Sequence, residues 1–171
     1  MNKKGKIIIG ATLAVGLFAI VSYMGVQIVK LKDSCIRLMK VKNLRTGRGL
    51  HLTLILGFKN KSDLSLELKS QQYKVYVNDY HVADIKTPLG IQVVSNKETQ
   101  IPVDINIDAD TLLRAGLKNV TALLFDKDKL VVRLQGSVTA KAGIVTVSQI
   151  PVDLAWTLKE LLEPIPEDSK C

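Results

Sequence analysis

The chain has 171 residues, 47 % of them apolar and 23 % charged, which is enough to form one folded domain without metals or multiple disulfides. Its 24 basic and 16 acidic residues give a net charge of +8, which favours nucleic-acid binding only if the cations lie on the folded domain. Two cysteines and two histidines are too few for a disulfide framework or a zinc site.

The first element along the chain is an apolar segment, Ile7–Val29, which contains no charged residue, histidine or proline. A helix of this length is about 35 Å long, and the hydrocarbon layer of a bilayer is about 30 Å thick. We therefore predict a single transmembrane helix at residues 7–29, after a basic tail at residues 1–6. The segment is longer than the apolar part of a signal peptide and has no Ala-x-Ala site, which favours an uncleaved anchor.

The basic residues are concentrated beside this segment. Residues 1–6 carry three lysines and residues 30–50 have a net charge of +6, which leaves −1 for residues 51–171. This distribution argues against nucleic acid and favours membrane lipids as the partner. The cations expected at the membrane surface are Lys30, Lys32, Arg37 and Lys40, the first two in a juxtamembrane linker at residues 30–34. A short basic tail stays in the cytoplasm by default, whereas the more basic residues 30–50 favour the opposite direction under the positive-inside rule. Of the two orientations, we expect the one with the domain on the non-cytoplasmic side.

From residue 35 onward the apolar residues alternate with polar ones, which is typical of strands with one buried face. The predicted strands are residues 36–42, 50–56, 64–68, 73–85, 91–94, 99–107, 130–140 and 144–150. Turn signals separate them, among them Asn78–Asp79 and Thr87–Gly90. About seven short strands at this spacing predict an all-β domain over residues 35–163, a seven-stranded antiparallel β-sandwich of the immunoglobulin or fibronectin III type.

One short helix interrupts the strands. Asp108 or Asp110 can cap its first turn, and Leu112, Leu113 and Leu117 have helical spacing. A second short helical segment is expected at residues 154–163, before the prolines of a flexible tail at residues 164–171.

Residues 50–113 resemble the late embryogenesis abundant type 2 family, also called the WHy domain. The matching stretches are LTLILGFKNKS, YKVYVNDYHVADI and TQIPVDINIDADTLL, and LVVRLQGSVTAKAGIVTVSQIPV looks like the closing hairpin of the family. The residues that carry the likeness are Phe58, Asn60, Ser62, Tyr73, Tyr76, Asn78, Val82 and Gly136. Lys61 departs from the pattern, because many members have proline after the asparagine.

The resemblance implies a seven-stranded sandwich with a helix on one side and without shared catalytic residues. The family is associated with stress protection, membrane-attached defence signalling and lipid-transfer or scaffold-like roles. We therefore predict a non-enzymatic module, without a cofactor, that holds a protein or lipid partner at the membrane or forms a homo-oligomer. Two alternatives stay open: a carrier of an apolar ligand between the sheets, and a structural membrane protein of a membrane-containing virus particle.

The sequence offers few residues for chemistry. His51 lies in a strand and His81 beside a hairpin turn, Asp104 and Asp108 lack the other ligands of a calcium loop, and we predict no catalytic or metal site. The surface that we expect to meet a partner is at Tyr80 and His81. Cys35 and Cys171 could form a disulfide if the domain is exported, and two free thiols are the alternative.

Overall fold

The computed structural model describes residues 22–31, 33–46, 49–114, 130–143 and 145–163. The strands are β1 (Cys35–Thr46), β2 (Gly49–Lys59), β3 (Leu66–Val77), β4 (Tyr80–Val93), β5 (Glu98–Asp108), β6 (Val131–Ala142) and β7 (Val145–Thr157). The helices are α1 (22–31), α2 (Ala109–Arg114) and α3 (Leu158–Leu162).

The strands form two antiparallel sheets. One sheet has the order β1-β2-β5, and the other has the order β4-β3-β6-β7. Apolar side chains of both sheets are buried in one core, for example Leu54 and Phe58 from β2, Val75 from β3 and Leu134 from β6, all 0 % exposed. The prediction of an all-β, antiparallel two-sheet domain is confirmed, and the immunoglobulin or fibronectin III likeness stays a prediction.

Alternation along the strands explains which face of each strand is buried. In β5 the apolar residues Ile101, Val103, Ile105 and Ile107 are buried, and the residues between them are exposed. Successive side chains of a strand point to opposite faces, so this pattern places one face of β5 on the core and the other in solvent.

Each of the four edge strands carries a feature that discourages pairing with another chain. Pro88 lies in β4, Pro102 in β5 and Pro151 in β7, and proline has no backbone N–H to donate. β1 has two register irregularities, one between Leu38 and Lys40 and one before Arg45. The sandwich is therefore protected against edge-to-edge association.

The predicted gap between the strands at residues 64–68 and 73–85 was wrong, because β3 is continuous over Leu66–Val77. Two further predicted boundaries were also wrong. Thr87–Gly90 is part of β4 and not a turn: Leu68 pairs with Ile91 and Ser70 with Pro88, so β4 contains one extra residue here. Gly90 has φ +66° and lies at this bulge, a conformation that glycine adopts readily. The turn-forming residues of this stretch therefore produce a β-bulge.

The second wrong boundary is the start of the last helix. Residues 154–157 belong to β7, where Leu154 pairs with Leu134 and Trp156 with Val132. Pairing with β6 outweighs the helical spacing of the leucines, and α3 begins only at Leu158, behind the capping box of Thr157 and Glu160. Within the described residues, α2 and α3 are thus two short helices that follow strands, and Leu117, predicted for the first of them, lies outside these residues. Asp108, one of the two predicted caps, caps α2, since its Oδ1 accepts a hydrogen bond from Thr111 N (2.7 Å).

The predicted transmembrane segment lies mostly outside the described residues. Residues 22–29 are the described part of it, and they form α1, which continues to Leu31. Over the ranges that the structure covers, no helix is both long enough and apolar enough to cross a membrane. The tails at residues 1–6 and 164–171 also lie outside the described residues.

Candidate functional site at the proximal end of the sandwich

Helix α1 packs against one end of the sandwich, which we call the proximal end; it comprises residues 27–31, 33–37, 59–65 and 94–98. Gln27 and Leu31, one turn apart on α1, are both only 1 % exposed. On the other side of the helix, Val26 and Val29 are 54 % and 59 % exposed. The last turns of α1 are therefore part of the domain, and residues 30–34, which we expected to be a linker, include the end of this helix.

A hydrogen-bonded clamp joins α1 to the loop after β2. Gln27 Nε2 donates to Asp63 Oδ2 (3.1 Å), and the backbone N–H of Asp63 donates to Gln27 Oε1 (2.9 Å). Lys30 Nζ is 2.8 Å from the same carboxylate oxygen, and Asn96 Nδ2 donates to Asp63 Oδ1 (3.4 Å). Both the nitrogen and the oxygen of the Gln27 amide are hydrogen-bonded to Asp63. The clamp therefore fixes the position of α1 relative to this loop.

The clamp changes the acidity of Asp63. The hydrogen bond from Lys30, followed by those from Gln27 and Asn96, lowers the pKa of Asp63 from 3.8 to about 2. A carboxyl group whose pKa is lowered in the folded state stabilises that state above its unfolded pKa, and the contribution is lost as the pH falls through the folded pKa. Acid should therefore weaken the clamp between about pH 4 and pH 2.

We expect the amides at the end of α1 to lose protection against hydrogen exchange in this pH window, after correction for intrinsic exchange rates. The variant Asp63→Asn should show weaker protection at neutral pH and little further loss in acid, because its side chain does not ionise. Asp110→Asn, which changes an exposed carboxylate on α2, is the control and should behave like the unmodified chain. Equal protection of α1 at pH 5 and pH 2 would contradict the role of Asp63.

The loop that carries Asp63 is itself held by a buried polar network around Asn60. Asn60 Nδ2 donates to the backbone oxygens of Leu64 (2.8 Å) and Val94 (3.3 Å). Asn60 Oδ1 accepts from the backbone N–H (3.0 Å) and the hydroxyl (2.7 Å) of Ser62. Asn60 and Ser62 are both 0 % exposed, so this network connects the loop after β2 to the turn after β4. Two of the residues that suggested the family thus shape the proximal end.

Two of the predicted membrane-surface cations form ion pairs within the proximal end. Lys30 pairs with Asp63, and Arg37 makes two hydrogen bonds to Glu98, 2.8 Å from Nε to Oε1 and 3.0 Å from Nη2 to Oε2. The hydrogen bond from Arg37 lowers the pKa of Glu98. Lys40 is exposed further along β1, and Lys32 lies outside the described residues.

Three other lysines lie at the proximal end, and the sequence analysis missed them. Lys59 and Lys61 flank Asn60, and the backbone N–H of Asn60 donates to Lys97 O (3.0 Å). All three lysines are exposed. Lys97 is 36 residues after Lys61 in the sequence, so only the contact between the two loops brings it beside the other two.

Most of the remaining family-motif residues serve the core. Phe58 is 0 % exposed and Tyr73 2 % exposed, and burial raises the pKa of the Tyr73 hydroxyl. Gly136 pairs with Tyr73 across β3 and β6, where a Cβ atom would lie 2.8 Å from Tyr73 Cα and even closer to Gln72 O. Only glycine fits this close approach of two backbones. Val82 is partly buried and packs against the core from β4.

The predicted partner surface, Tyr80 and His81, lies next to the opposite end of the sandwich. We call this the distal end; it comprises residues 78–79, 108–114 and 157–163. Tyr80 is 44 % exposed, His81 Nε2 is 3.2 Å from Asp84 Oδ1, and the Tyr76 ring contacts the His81 ring edge-on at 5.6 Å between centroids. Asn78 has φ +46° and accepts a hydrogen bond from Val131 N (2.9 Å). The predicted partner surface is therefore separated from α1 by the length of the strands.

The structure brings no catalytic or metal-binding set together in the part of the chain that it describes. His51 lies near the start of β2, and Ser62 and Asp63 follow its other end, about 30 Å away at the usual rise of a strand. Asp104 accepts a hydrogen bond from the Thr53 hydroxyl (2.7 Å). Within the described ranges, no three histidine, cysteine or acidic residues are grouped so that they could hold a metal ion.

Cys35, at the start of β1 and next to α1, is disulfide-bonded. The sequence contains one other cysteine, Cys171, which lies outside the described residues. The pairing of Cys35 with Cys171 therefore stays a prediction.

The combination of two packed antiparallel sheets, a buried asparagine network and a docked N-terminal helix defines a small β-sandwich domain without a catalytic site among its described residues. A family model described as late embryogenesis abundant protein (LEA_2) matches residues 56–155. The chain belongs to this family, as the motif residues suggested. Proteins of the family are generally not enzymes. No curated protein sequence matches the chain significantly.

Solved structures with the same arrangement have very different sequences. The chain is similar to a solution structure from Arabidopsis thaliana with 12 % identity and a TM-score of 0.56, over 71 % of this chain and 78 % of that chain. It is also similar to an X-ray structure from a structural genomics programme, with 10 % identity, a TM-score of 0.50 and coverage of 82 % and 99 %. A crystal structure from Archaeoglobus fulgidus shares 14 % identity at a TM-score of 0.48, with coverage of 71 % and 97 %. At these identities the likeness concerns the fold alone.

Proposed function

We propose that this chain is a membrane-anchored, non-enzymatic member of the family that acts as an interaction or scaffold module in stress protection. In this proposal, residues 7–29 form the anchor, and the sandwich holds a protein or lipid partner at the membrane surface. One observation carries the proposal: the end of the uncharged segment forms part of α1. The last turns of this helix are buried against the sandwich at Gln27 and Leu31. A helix that begins in the bilayer and ends in the domain holds the domain at the membrane.

The disulfide bond of Cys35 supports the side of the membrane that we propose. Disulfides persist in oxidising compartments and are rare in the cytosol. A short tail before the anchor stays in the cytoplasm by default, whereas the charge of residues 30–50 favours the opposite direction, so the disulfide is the observation that supports export. We therefore propose that the sandwich lies on the non-cytoplasmic side.

Alkaline extraction and protease protection of the full chain, with one tag at each terminus, test both parts. The chain should stay in the membrane pellet at high pH, and protease added outside intact cells should digest the C-terminal tag and spare the N-terminal tag. Release of the chain by alkaline carbonate would overturn the anchor. A protected C-terminal tag on an unreleased chain would overturn the orientation and leave the anchor intact.

One observation favours a second candidate function, a carrier with a ligand between the sheets. Gln71 Oε1 and Tyr73 OH are buried and have no hydrogen-bond partner among the described residues, and both side chains belong to residues only 2 % exposed. Gln71 Nε2 donates to the backbone oxygen of Pro102 in the opposite sheet (3.0 Å), so the side chain crosses the core. A polar atom of a bound molecule would satisfy both groups, whose burial without partners is costly.

Native mass spectrometry of the gently purified chain tests this candidate. A copurifying small molecule that is lost in the double variant Gln71→Leu with Tyr73→Phe would support a carrier. Recovery of the bare chain mass, with a single ordered water between the two groups in a high-resolution structure, would overturn it.

A further inference from the structure

The two ends of the sandwich differ in charge. The proximal end carries five basic residues, Lys30, Arg37, Lys59, Lys61 and Lys97, against three acidic ones, Asp33, Asp63 and Glu98. At the distal end, with the described end of β1 included, the ratio is reversed. Three basic residues, Arg45, Arg114 and Lys159, lie there against five acidic ones, Asp79, Asp108, Asp110, Glu160 and Glu163. An anionic surface would therefore attract the proximal end and repel the distal end.

The internal ion pairs leave the three lysines around Asn60 available. Asp63 is paired with Lys30 and Glu98 with Arg37, which neutralises two acidic and two basic groups. Lys59, Lys61 and Lys97 remain exposed, and none of the ion pairs seen among the described residues includes them. Asp33 is the remaining carboxylate at this end. The surplus positive charge is thus carried by the rim formed by Lys59, Lys61 and Lys97, which we call the lysine rim.

The exposure of α1 shows where the apolar segment leaves the domain. On the face of α1 that bears Gln27, Tyr23 one turn earlier is 48 % exposed, and burial against the sandwich begins at Gln27. One helical turn rises 5.4 Å, so the unburied part of the apolar segment begins about one turn from the clamp. The chain has no flexible spacer there, because α1 is continuous over residues 22–31.

We propose that the lysine rim lies against the anionic headgroups of the membrane, and that the clamp between Gln27 and Asp63 holds the sandwich upright, with its distal end away from the bilayer. This inference rests on the membrane anchor of the proposed function and adds a fixed posture and a lipid class. The occupant of the proximal surface is an anionic lipid of the leaflet that faces the sandwich, because the segment from Ile7 to Val29 is uncharged and the rim is positive. The distal turn with Tyr80 and His81 is then free to meet a partner.

Two exposed apolar residues next to tight turns offer a matched pair of probe positions. Val94 is 57 % exposed at the proximal end, and Tyr80 is 44 % exposed at the distal turn. A photoreactive phenylalanine at either position replaces an apolar side chain and removes no described side-chain hydrogen bond. The full chain is reconstituted in nanodiscs of phosphatidylcholine, with or without phosphatidylserine, and lipid adducts are counted by mass spectrometry.

The probe at residue 94 should form at least about fivefold more lipid adducts than the probe at residue 80, because residue 80 lies at the other end of β4, about 40 Å away at the usual rise of a strand. Phosphatidylserine should increase the yield at residue 94, and the triple variant Lys59→Gln, Lys61→Gln, Lys97→Gln should abolish that increase. Gln27→Ala, which releases one side of the clamp, should bring the yields at the two positions closer together.

Failure of this inference is distinguishable from failure of the anchor. Equal lipid yields at residues 94 and 80, or none at either, in a chain that resists alkaline extraction would overturn the posture and leave the anchor standing. A yield at residue 94 that is the same with and without phosphatidylserine would overturn the lysine rim. Adducts of residue 94 with a protein instead of lipid would overturn the choice of occupant.

Discussion

Removing the disulfide of Cys35 is expected to lower the free energy of unfolding by about 4–5 kcal/mol. If Cys171 is the partner, the bond closes a loop of well over a hundred residues and ties the start of β1, beside α1, to the end of the chain. A crosslink over so long a loop removes many conformations of the unfolded chain, and this loss favours the folded state. Titration with guanidinium of the full chain in detergent, followed by the fluorescence of Trp156, measures the difference.

Three variants make the disulfide test specific. Cys35→Ser, Cys171→Ser and the double variant should all be destabilised by the same amount, because each removes the same crosslink. Reductant should bring the unmodified chain to the stability of the double variant and leave the double variant unchanged. Two free thiols in the denatured, unreduced chain, or a stability that does not depend on reductant, would contradict the bond and weaken the proposed exported location.

Asn60→Ala is expected to lower the free energy of unfolding by about 4 kcal/mol. The side chain makes four hydrogen bonds, and its removal leaves the backbone oxygens of Leu64 and Val94 and the backbone N–H of Ser62 without this partner in a buried loop. Each buried polar group that loses its partner costs about 1–3 kcal/mol. The same titration of Trp156 fluorescence provides the measurement.

Asn106→Ala is the matched control, because Asn106 is exposed in β5 and its removal should change stability by less than about 0.5 kcal/mol. Asn60→Asp keeps the shape of the side chain and still accepts from Ser62, yet it cannot donate to Leu64 and Val94. It should therefore be destabilised as well. If Asn60→Ala were no worse than Asn106→Ala, the network would not hold the proximal end together.

The sequence predicted the strands best where the apolar and polar residues alternate strictly. β2 and β5 lie close to their predicted ranges, because a period of two residues follows directly from strand geometry. Asp108 was predicted as one of two caps for α2, since a carboxylate before a helix accepts from its free N–H groups. Local chemistry determines both features.

Predictions were less successful where pairing between distant strands decides the local structure. Thr87–Gly90 has the composition of a turn, and it becomes a bulge because β3 runs alongside and pairs on both sides of it. Leu154 has helical spacing to Leu158 and Leu161, yet residues 154–157 remain in β7 because β6 supplies a neighbouring strand. The sequence of one segment does not indicate which strand will pair with it.

The candidate site shows the same division. The family resemblance singled out Asn60, Ser62 and Gly136, because each is needed for a local backbone arrangement that other residues do not support. Gln27 lies within the predicted anchor, and no local pattern indicates that it meets Asp63, which is 36 residues away. Lys97 likewise reaches Lys59 and Lys61 only through the hydrogen bond between Asn60 N and Lys97 O.

The sequence by itself thus determined the uncharged segment before the domain, the all-β class, the family and the concentration of positive charge near the start of the chain. Only the tertiary structure decided which of those charges are neutralised within the domain and which remain exposed. It also decided that the last turns of α1 pack against the proximal end of the sandwich. The physical reason is that composition and periodicity report on neighbours along the chain, whereas ion pairs and the packing of a helix end depend on groups brought together by folding.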